Sequence, residues 1–247
     1  MPSSGVFSSL SERTRKTWAY AIACVCGLML VFVLLFTSLK LAVSNENWVR
    51  AQYEAYGLAD ELDMTNEDMT AAFMRMVDYM NGTVDSIQIT VTVAGEEVEF
   101  YNEREMEHML DVRRLWQLGE NLRMVFLLIC GVCFVFIFLL VYTEAWFVFA
   151  RGILFSSAGL AVIAGIAYLF IAGNFSVFWV KFHELFFTND LWLLNPAVDR
   201  MIWICPEFLF SEIIIRAILM FLFPLFVILV DAGVIWYIRY QRKKNGY

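Results

Sequence analysis

Residues 122–141 read LRMVFLLICGVCFVFIFLLV, with one charge, Arg123, at the second position. A bilayer's hydrocarbon core is about 30 Å thick, so a helix rising about 1.5 Å per residue needs roughly 20 apolar residues to cross it. The stretch predicts a membrane-spanning helix. Outward from it, the runs 18–39, 152–173 and 213–237 reach the same length. Composition agrees: 60% of the chain is hydrophobic and only 17% is charged, and the charges are gathered between the runs.

Four crossings place both termini on one side. Lysine and arginine near span ends mark the cytoplasmic face. Here they collect at Arg13, Arg15 and Lys16 before the first run, and at Arg239, Arg242, Lys243 and Lys244 after the last. Residues 44–121 are acidic, with the pairs Asp60-Glu61 and Glu96-Glu97. Both ends are therefore expected in the cytoplasm of a multi-pass cell-membrane protein. The first run is too long for the apolar core of a signal peptide, which predicts an uncleaved anchor. A net charge of −7 with no basic stripe beyond the terminal anchors argues against nucleic acid. Four of the five cysteines, Cys24, Cys26, Cys130 and Cys133, fall inside predicted spans and read as small packing residues; Cys205 lies outside.

The expected layout is a membrane all-α bundle of four transmembrane helices. It comprises a cytoplasmic tail 1–17, a span 18–39, an extracytoplasmic α+β domain 40–121, a span 122–141 and a cytoplasmic loop 142–151. A span 152–173, an aromatic interfacial extracytoplasmic loop 174–212, a span 213–237 and a tail 238–247 follow. Within the α+β domain, residues 45–56 read as a helix, and Thr65 with Asp68 as a capping signal for a second. That helix carries Met69, Phe73, Met76, Val77 and Met80 on one face and ends at Asn81-Gly82. Residues 86–93 alternate with period two and meet a turn at 94–96 before 98–101, predicting a β-hairpin. A helix over 103–118 is expected to break at Gly119; run straight on, it would hold His108 roughly 20 Å above the membrane. Glu212 and Arg216, four apart, read as a helix-stabilising pair, and Pro224 as a kink.

Only two histidines occur, His108 and His183, one in each predicted outward segment. Arg104 precedes His108 by four residues and Asp111 follows by three, so the three share a helical face on which Asp111 can orient the imidazole. His183 sits in Phe182-His183-Glu184-Leu185-Phe186-Phe187, whose aromatics belong at the lipid headgroup level. An imidazole there can meet a lipid ester.

Two patches resemble a known family. One runs from Phe100 through Arg104-Glu105 and His108 to Asp111-Val112. The other comprises Phe182-His183, Phe186-Phe187, Asn189-Asp190, Trp192, Pro196, Asp199, Pro206-Glu207 and Phe210. Together they resemble the bacterial lipoprotein intramolecular transacylases, four-span proteins of low-GC Gram-positive bacteria. The resemblance implies an acyltransferase that moves the sn-2 acyl chain of an S-diacylglyceryl cysteine to that cysteine's own α-amine, giving a lyso-form lipoprotein. It implies His108 and His183 as the catalytic pair. Asp111, Arg104, Glu105 and Glu184 support them, and Phe182, Phe186, Asn189, Trp192 and Glu207 line the substrate pocket. Diacylated lipoproteins and membrane lipids are the expected partners, and no cofactor or metal is expected. Aromatic surroundings suggest His183 as neutral base, and Asp111 suggests His108 as cationic proton donor.

Three other readings stand beside it. His108, Asp111, His183 and Glu184 are ligand types that suit zinc, although no HExxH-like spacing occurs. The outward domain could instead be a non-catalytic sensor on membrane anchors. A small transporter would need polar residues at the bilayer midplane, and these spans hold few.

Overall fold

The computed structural model of the protein describes residues 9–171 and 175–245. The start of the expected N-terminal tail, the expected boundary at Gly173 and Asn174, and the last two residues lie outside the described residues. In chain order the elements are α1 (Glu12–Val43), α2 (Glu46–Tyr56), α3 (Leu58–Glu61), α4 (Asn66–Asn81), β1 (Thr90–Val93), β2 (Glu96–Glu99) and α5 (Glu103–Val141). A 3-10 turn (Tyr142–Glu144), α6 (Ala145–Ile171), α7 (Phe175–Phe186), α8 (Met201–Ile204) and α9 (Glu207–Lys244) complete it. They form two compact units: Met1–Thr37, Leu122–Phe170 and Ile218–Tyr247 in one, Ser38–Asn121 and Ile171–Ala217 in the other.

The first unit is the membrane unit. Among the described residues, three helical stretches are long and apolar enough to cross a bilayer: Glu12–Val43, Glu103–Leu160 and Glu207–Ile238. The middle stretch takes in two helices that fold back on each other. Phe134 and Phe149 lie 5.2 Å apart, centroid to centroid, whereas a straight helix would separate them by about 22 Å. The helix α6 thus begins at Ala145, earlier than the span expected at 152.

Association of helices in lipid depends on close approach of small residues, because lipid tails are as apolar as the helices themselves. In α1, Ala19 and Ala23 are fully buried with Ile137 and Val148. A Cβ on Gly152 would stand 2.4 Å from the Ala23 backbone, and one on Gly27 would stand 2.7 Å from Ser156 Oγ. Ser156 donates to the Cys24 carbonyl at 2.8 Å, so α1 and α6 touch backbone to backbone. Cys26 and Cys130 bury their thiols between α1 and α5, Cys130 Sγ donating to the Cys26 carbonyl at 3.5 Å. Large apolar side chains such as Leu128, Phe223 and Phe226 point outward, as lipid-facing residues do.

In the second unit, Asn45 caps α2 by accepting from the Trp48 N–H at 2.9 Å, and Thr65 caps α4 by accepting from the Asp68 N–H at 3.0 Å. The face of α4 is buried at Met69, Phe73, Met76 and Val77 as expected, with Tyr79 joining it. Gly82, in the left-handed region at φ 78°, closes the helix. Tyr53 of α2 donates to the Ile204 carbonyl of α8 at 2.6 Å, and Tyr101 to the Ala72 carbonyl of α4 at 2.7 Å.

The hairpin is antiparallel, with Val91 opposite Val98 and Val93 opposite Glu96. Its ladder is shorter than the alternation predicted, and the second strand starts at Glu96 rather than 98. Ala94 and Gly95 both take positive φ, 52° and 82°, which suits a two-residue turn matched to the strand twist. Beyond the ladder the Gln88 side chain continues the pairing: its Nε2 donates to the Tyr101 carbonyl at 2.8 Å and its Oε1 accepts from the Tyr101 N–H at 3.1 Å.

Two expectations are corrected. The break at Gly119, expected to lay residues 103–118 across the membrane surface and bring His108 down to it, is absent, and α5 runs unbroken over 39 residues. One glycine inside a helix costs only about 1 kcal/mol relative to alanine, which neighbouring turns offset. Glu212 and Arg216 form no ion pair among the described residues; the Arg216 guanidinium lies 4.8 Å from the centroid of the Trp48 ring instead.

Candidate functional site

The site lies within the second unit. Its base is the N-terminus of α5, where Asn102 and Glu105 cap each other. Asn102 Oδ1 accepts from the Glu105 N–H at 3.0 Å, and Glu105 Oε2 accepts from the Asn102 N–H at 2.8 Å. This is a capping box with asparagine in the first place. Glu105 is fully buried, and its other oxygen accepts from the Met201 N–H at the start of α8. Burial pushes its carboxyl up, against the two backbone donors that pull it down. Asn102 Nδ2 donates to Asp199 Oδ1 at 2.8 Å, and Asp199 Oδ2 accepts from the Asn195 N–H at 2.6 Å. Asn102 and Glu105 together therefore clasp the C-terminal end of the segment 187–201 to α5.

One turn on, the face carrying Arg104, His108 and Asp111 meets that segment. Arg104 donates to the Asp190 carbonyl, and Asp111 Oδ2 accepts from Asn189 Nδ2 at 2.8 Å. The turn at 189–190 is thus held on both sides of His108. From it Trp192 reaches over His183, the rings stacked 4.9 Å apart at 27°, while its Nε1 donates to the Asn189 carbonyl at 3.0 Å.

His183 comes from α7. The segment expected as an interfacial loop is helical over its first third, because Phe175, Phe178, Trp179, Phe182 and Phe186 recur at helical spacing. That periodicity was the available signal. It sets His183 between Trp179, 4.6 Å away, and Phe187, 5.5 Å away.

The two imidazoles meet. Their centroids are 6.1 Å apart, each histidine is only 6% exposed, and Phe187 packs 5.3 Å from His108 as well. His183 Nδ1 lies 2.8 Å from the Trp179 carbonyl. A carbonyl only accepts, so Nδ1 carries the proton and Nε2 presents its lone pair. His108 Nδ1 is buried and has no protein partner. His108 lies in the charge-bearing stretch Glu103 to Glu120, ahead of the apolar run that starts at 122. Burial and the neighbouring His183 lower its pKa to about 4, outweighing the pull of Asp111. Burial likewise lowers His183. Both shifts favour the neutral ring at pH 7.

Asp111, expected beside His108, pulls the pKa of the ring up, but burial of the ring outweighs that pull. Its carboxylate is taken by Asn189 and by Arg114 Nη1 at 3.1 Å, and desolvation of the ring dominates. Glu184 is exposed on α7 and paired to Lys181 at 2.6 Å. Glu207 accepts from Ser176 Oγ where α9 begins, and Asn189 braces the turn against Asp111. Phe182 packs 5.5 Å from His183 and 4.9 Å from Phe186. Among the described residues no three His, Cys, Asp or Glu side chains gather as metal ligands.

The chain resembles known proteins in both sequence and fold. A family model described as lipoprotein intramolecular transacylase Lit matches residues 24–210. No curated protein matches significantly. Among solved structures, the membrane integral lipoprotein intramolecular transacylase Lit from Bacillus cereus superposes with a TM-score of 0.65 at 19% identity, covering 93% of this chain and 98% of that one. A variant of that protein with a histidine replaced by arginine gives 0.66 at 16% identity, covering 94% and 96%. One with alanine in place of the histidine gives 0.63 at 18% identity, covering 93% and 96%. The family match extends over most of the chain, including both histidines, and this membrane protein belongs to the lipoprotein intramolecular transacylase (Lit) family.

Proposed function

We propose that the chain converts a diacylated lipoprotein into its lyso form by moving the sn-2 acyl chain of the S-diacylglyceryl cysteine to the α-amine of the same cysteine, with His108 and His183 as the catalytic pair. The observation that carries this is the buried pairing of the chain's two imidazoles, 6.1 Å apart. Amine and ester sit on one molecule, so the protein's task is to hold them together and manage protons.

The α-amine has an aqueous pKa of about 8 and must be neutral to attack. Nitrogen adds to the ester carbonyl while His183 Nε2 accepts an N–H proton. The carbonyl carbon–sn-2 oxygen bond then breaks, and the proton returns to the departing glycerol oxygen. The products are an amide and a free sn-2 hydroxyl, with no water consumed. His108 is neutral, and a ring N–H donates to the oxyanion as it forms, a role worth about 10²–10³ in rate for one such donor. This revises the cationic donor expected from Asp111.

The membrane layout belongs to the same proposal: four crossings, both ends cytoplasmic and the site on the outer face. It is supported by the fold-back of α6 on α5 and by the basic residues flanking the first and last spans.

Co-expression with a diacylated lipoprotein in a host lacking N-acylation tests the reading. The transfer is an isomerisation, so the lipopeptide's mass stays the same while one acyl chain moves to an alkali-resistant amide. An N-terminus still bearing a free amine would end it.

A further inference from the structure

The ring contacts around His183 come from three sources: His108 of α5, α7 with the residue after it, and the turn that carries Trp192. Trp179, Phe182 and Phe187 belong to α7 or the residue after it and move with the imidazole. Trp192 does not. It arrives from the turn after Asp190, is itself only partly buried, and covers the face of His183 with a stacked ring. That turn is fixed from within by Trp192 Nε1 donating to the Asn189 carbonyl and by the Leu191 N–H donating to Asn189 Oδ1 at 3.2 Å. It is fixed from outside by Asn189 to Asp111 and by Arg104 to Asp190. These are four polar links on the four-residue turn 189–192, placed to hold one indole.

The position of that indole bears on which nucleophile reaches the ester. A base that can take a proton from an amine can take one from water, and water outnumbers the amine. We infer that Trp192, held by Asn189 and Asp111, is a specificity-determining residue that keeps water from the imidazole pair, so that the acyl chain goes to the amine rather than to hydroxide. This rests on the acyl-transfer reading. With the cover removed, a second reaction opens. Water adds to the sn-2 carbonyl, His183 takes its proton, the carbonyl carbon–oxygen bond breaks and the proton passes to the glycerol oxygen. A free fatty acid leaves, and the lipopeptide keeps one acyl chain and a free amine.

The test incubates purified full-length protein with a synthetic S-diacylglyceryl lipopeptide in ¹⁸O-water and weighs all products. Wild type gives the N-acylated isomer. Trp192→Ala is expected to raise the ratio of fatty acid, carrying one ¹⁸O, to N-acyl product at least tenfold, and Trp192→Phe to keep the wild-type ratio. Asn189→Ala, which only frees the turn, shifts the ratio in the same direction and replaces Trp192→Ala if that variant does not fold. A Trp192→Ala or Asn189→Ala protein that melts as wild type does, and loses N-acylation with no labelled fatty acid above wild type, overturns the inference. An absence of N-acyl product with wild type would instead remove the acyl-transfer reading.

Discussion

The Trp179 carbonyl does for His183 what a carboxylate does in many imidazole bases: it fixes the tautomer, here without adding charge. His108 has no such tether, and its pKa of about 4 reflects burial next to a second imidazole. This depressed value has a consequence for stability. Between an unfolded value near 6.5 and the folded value, the unfolded chain binds more protons, so stability is complete above about pH 6.5 and declines as pH falls toward 4. For His108 the loss approaches about 3 kcal/mol. In detergent, the melting temperature of the wild type is expected to fall through this window, and that of His108→Asn to fall less; equal slopes would show that His108 does not titrate there. Both imidazoles could be read from the sequence because they are the only two, and the aromatic neighbours of His183 because of their density. The division of roles could not. A helical face placed Asp111 beside His108, but only the fold shows that Asn189 and Arg114 occupy its oxygens.

Among the elements, the joints matter most. Glu105 ties the first turn of α5 to α8 through two backbone N–H groups. Glu105→Ala leaves the buried Met201 N–H and the half-buried Asn102 N–H unpaired, which is expected to cost about 2–4 kcal/mol and to lower activity by misplacing the turn that carries Trp192. Chemical denaturation alongside the acyl-transfer assay checks both effects. The close contact of α1 with α6 is a second joint. Gly152→Val would drive a side chain into the Ala23 backbone, and a loss of at least about 2 kcal/mol is expected, read as a lower melting temperature; an unchanged one would contradict the packing. The pattern of small residues at Ala19, Ala23 and Gly27 against Gly152 and Ser156 was present in the sequence, but hydropathy alone does not weigh it. Helix α7 was hidden in a similar way, since an aromatic belt and an aromatic helix share composition and differ only in period. The Gly119 break was expected from one residue's propensity, and the continuous hydrogen bonding of α5 overrides it.

For the whole molecule, the apolar runs gave the membrane class and most of the helices, and separated α5 from α6; what they missed is how short the connection is, a 3-10 turn at Tyr142–Glu144 with α6 starting at Ala145. The topology makes its own prediction. A cysteine at Gly95, in a chain whose other cysteines are buried or replaced, should react with a membrane-impermeant maleimide from outside intact cells. One near the C-terminus should react only after permeabilisation; the opposite pattern would place the imidazoles on the wrong face. The account depends most on two neutral histidines acting on one lipid-linked substrate. Its most direct test is the rate of sn-2-to-amine acyl migration on a synthetic diacylated lipopeptide by purified protein, for wild type, His108→Asn and His183→Asn, with melting temperatures measured on the same samples. Each substitution is predicted to lower the rate at least about 100-fold in protein that still folds, and a folded His183→Asn variant retaining the wild-type rate would contradict the account.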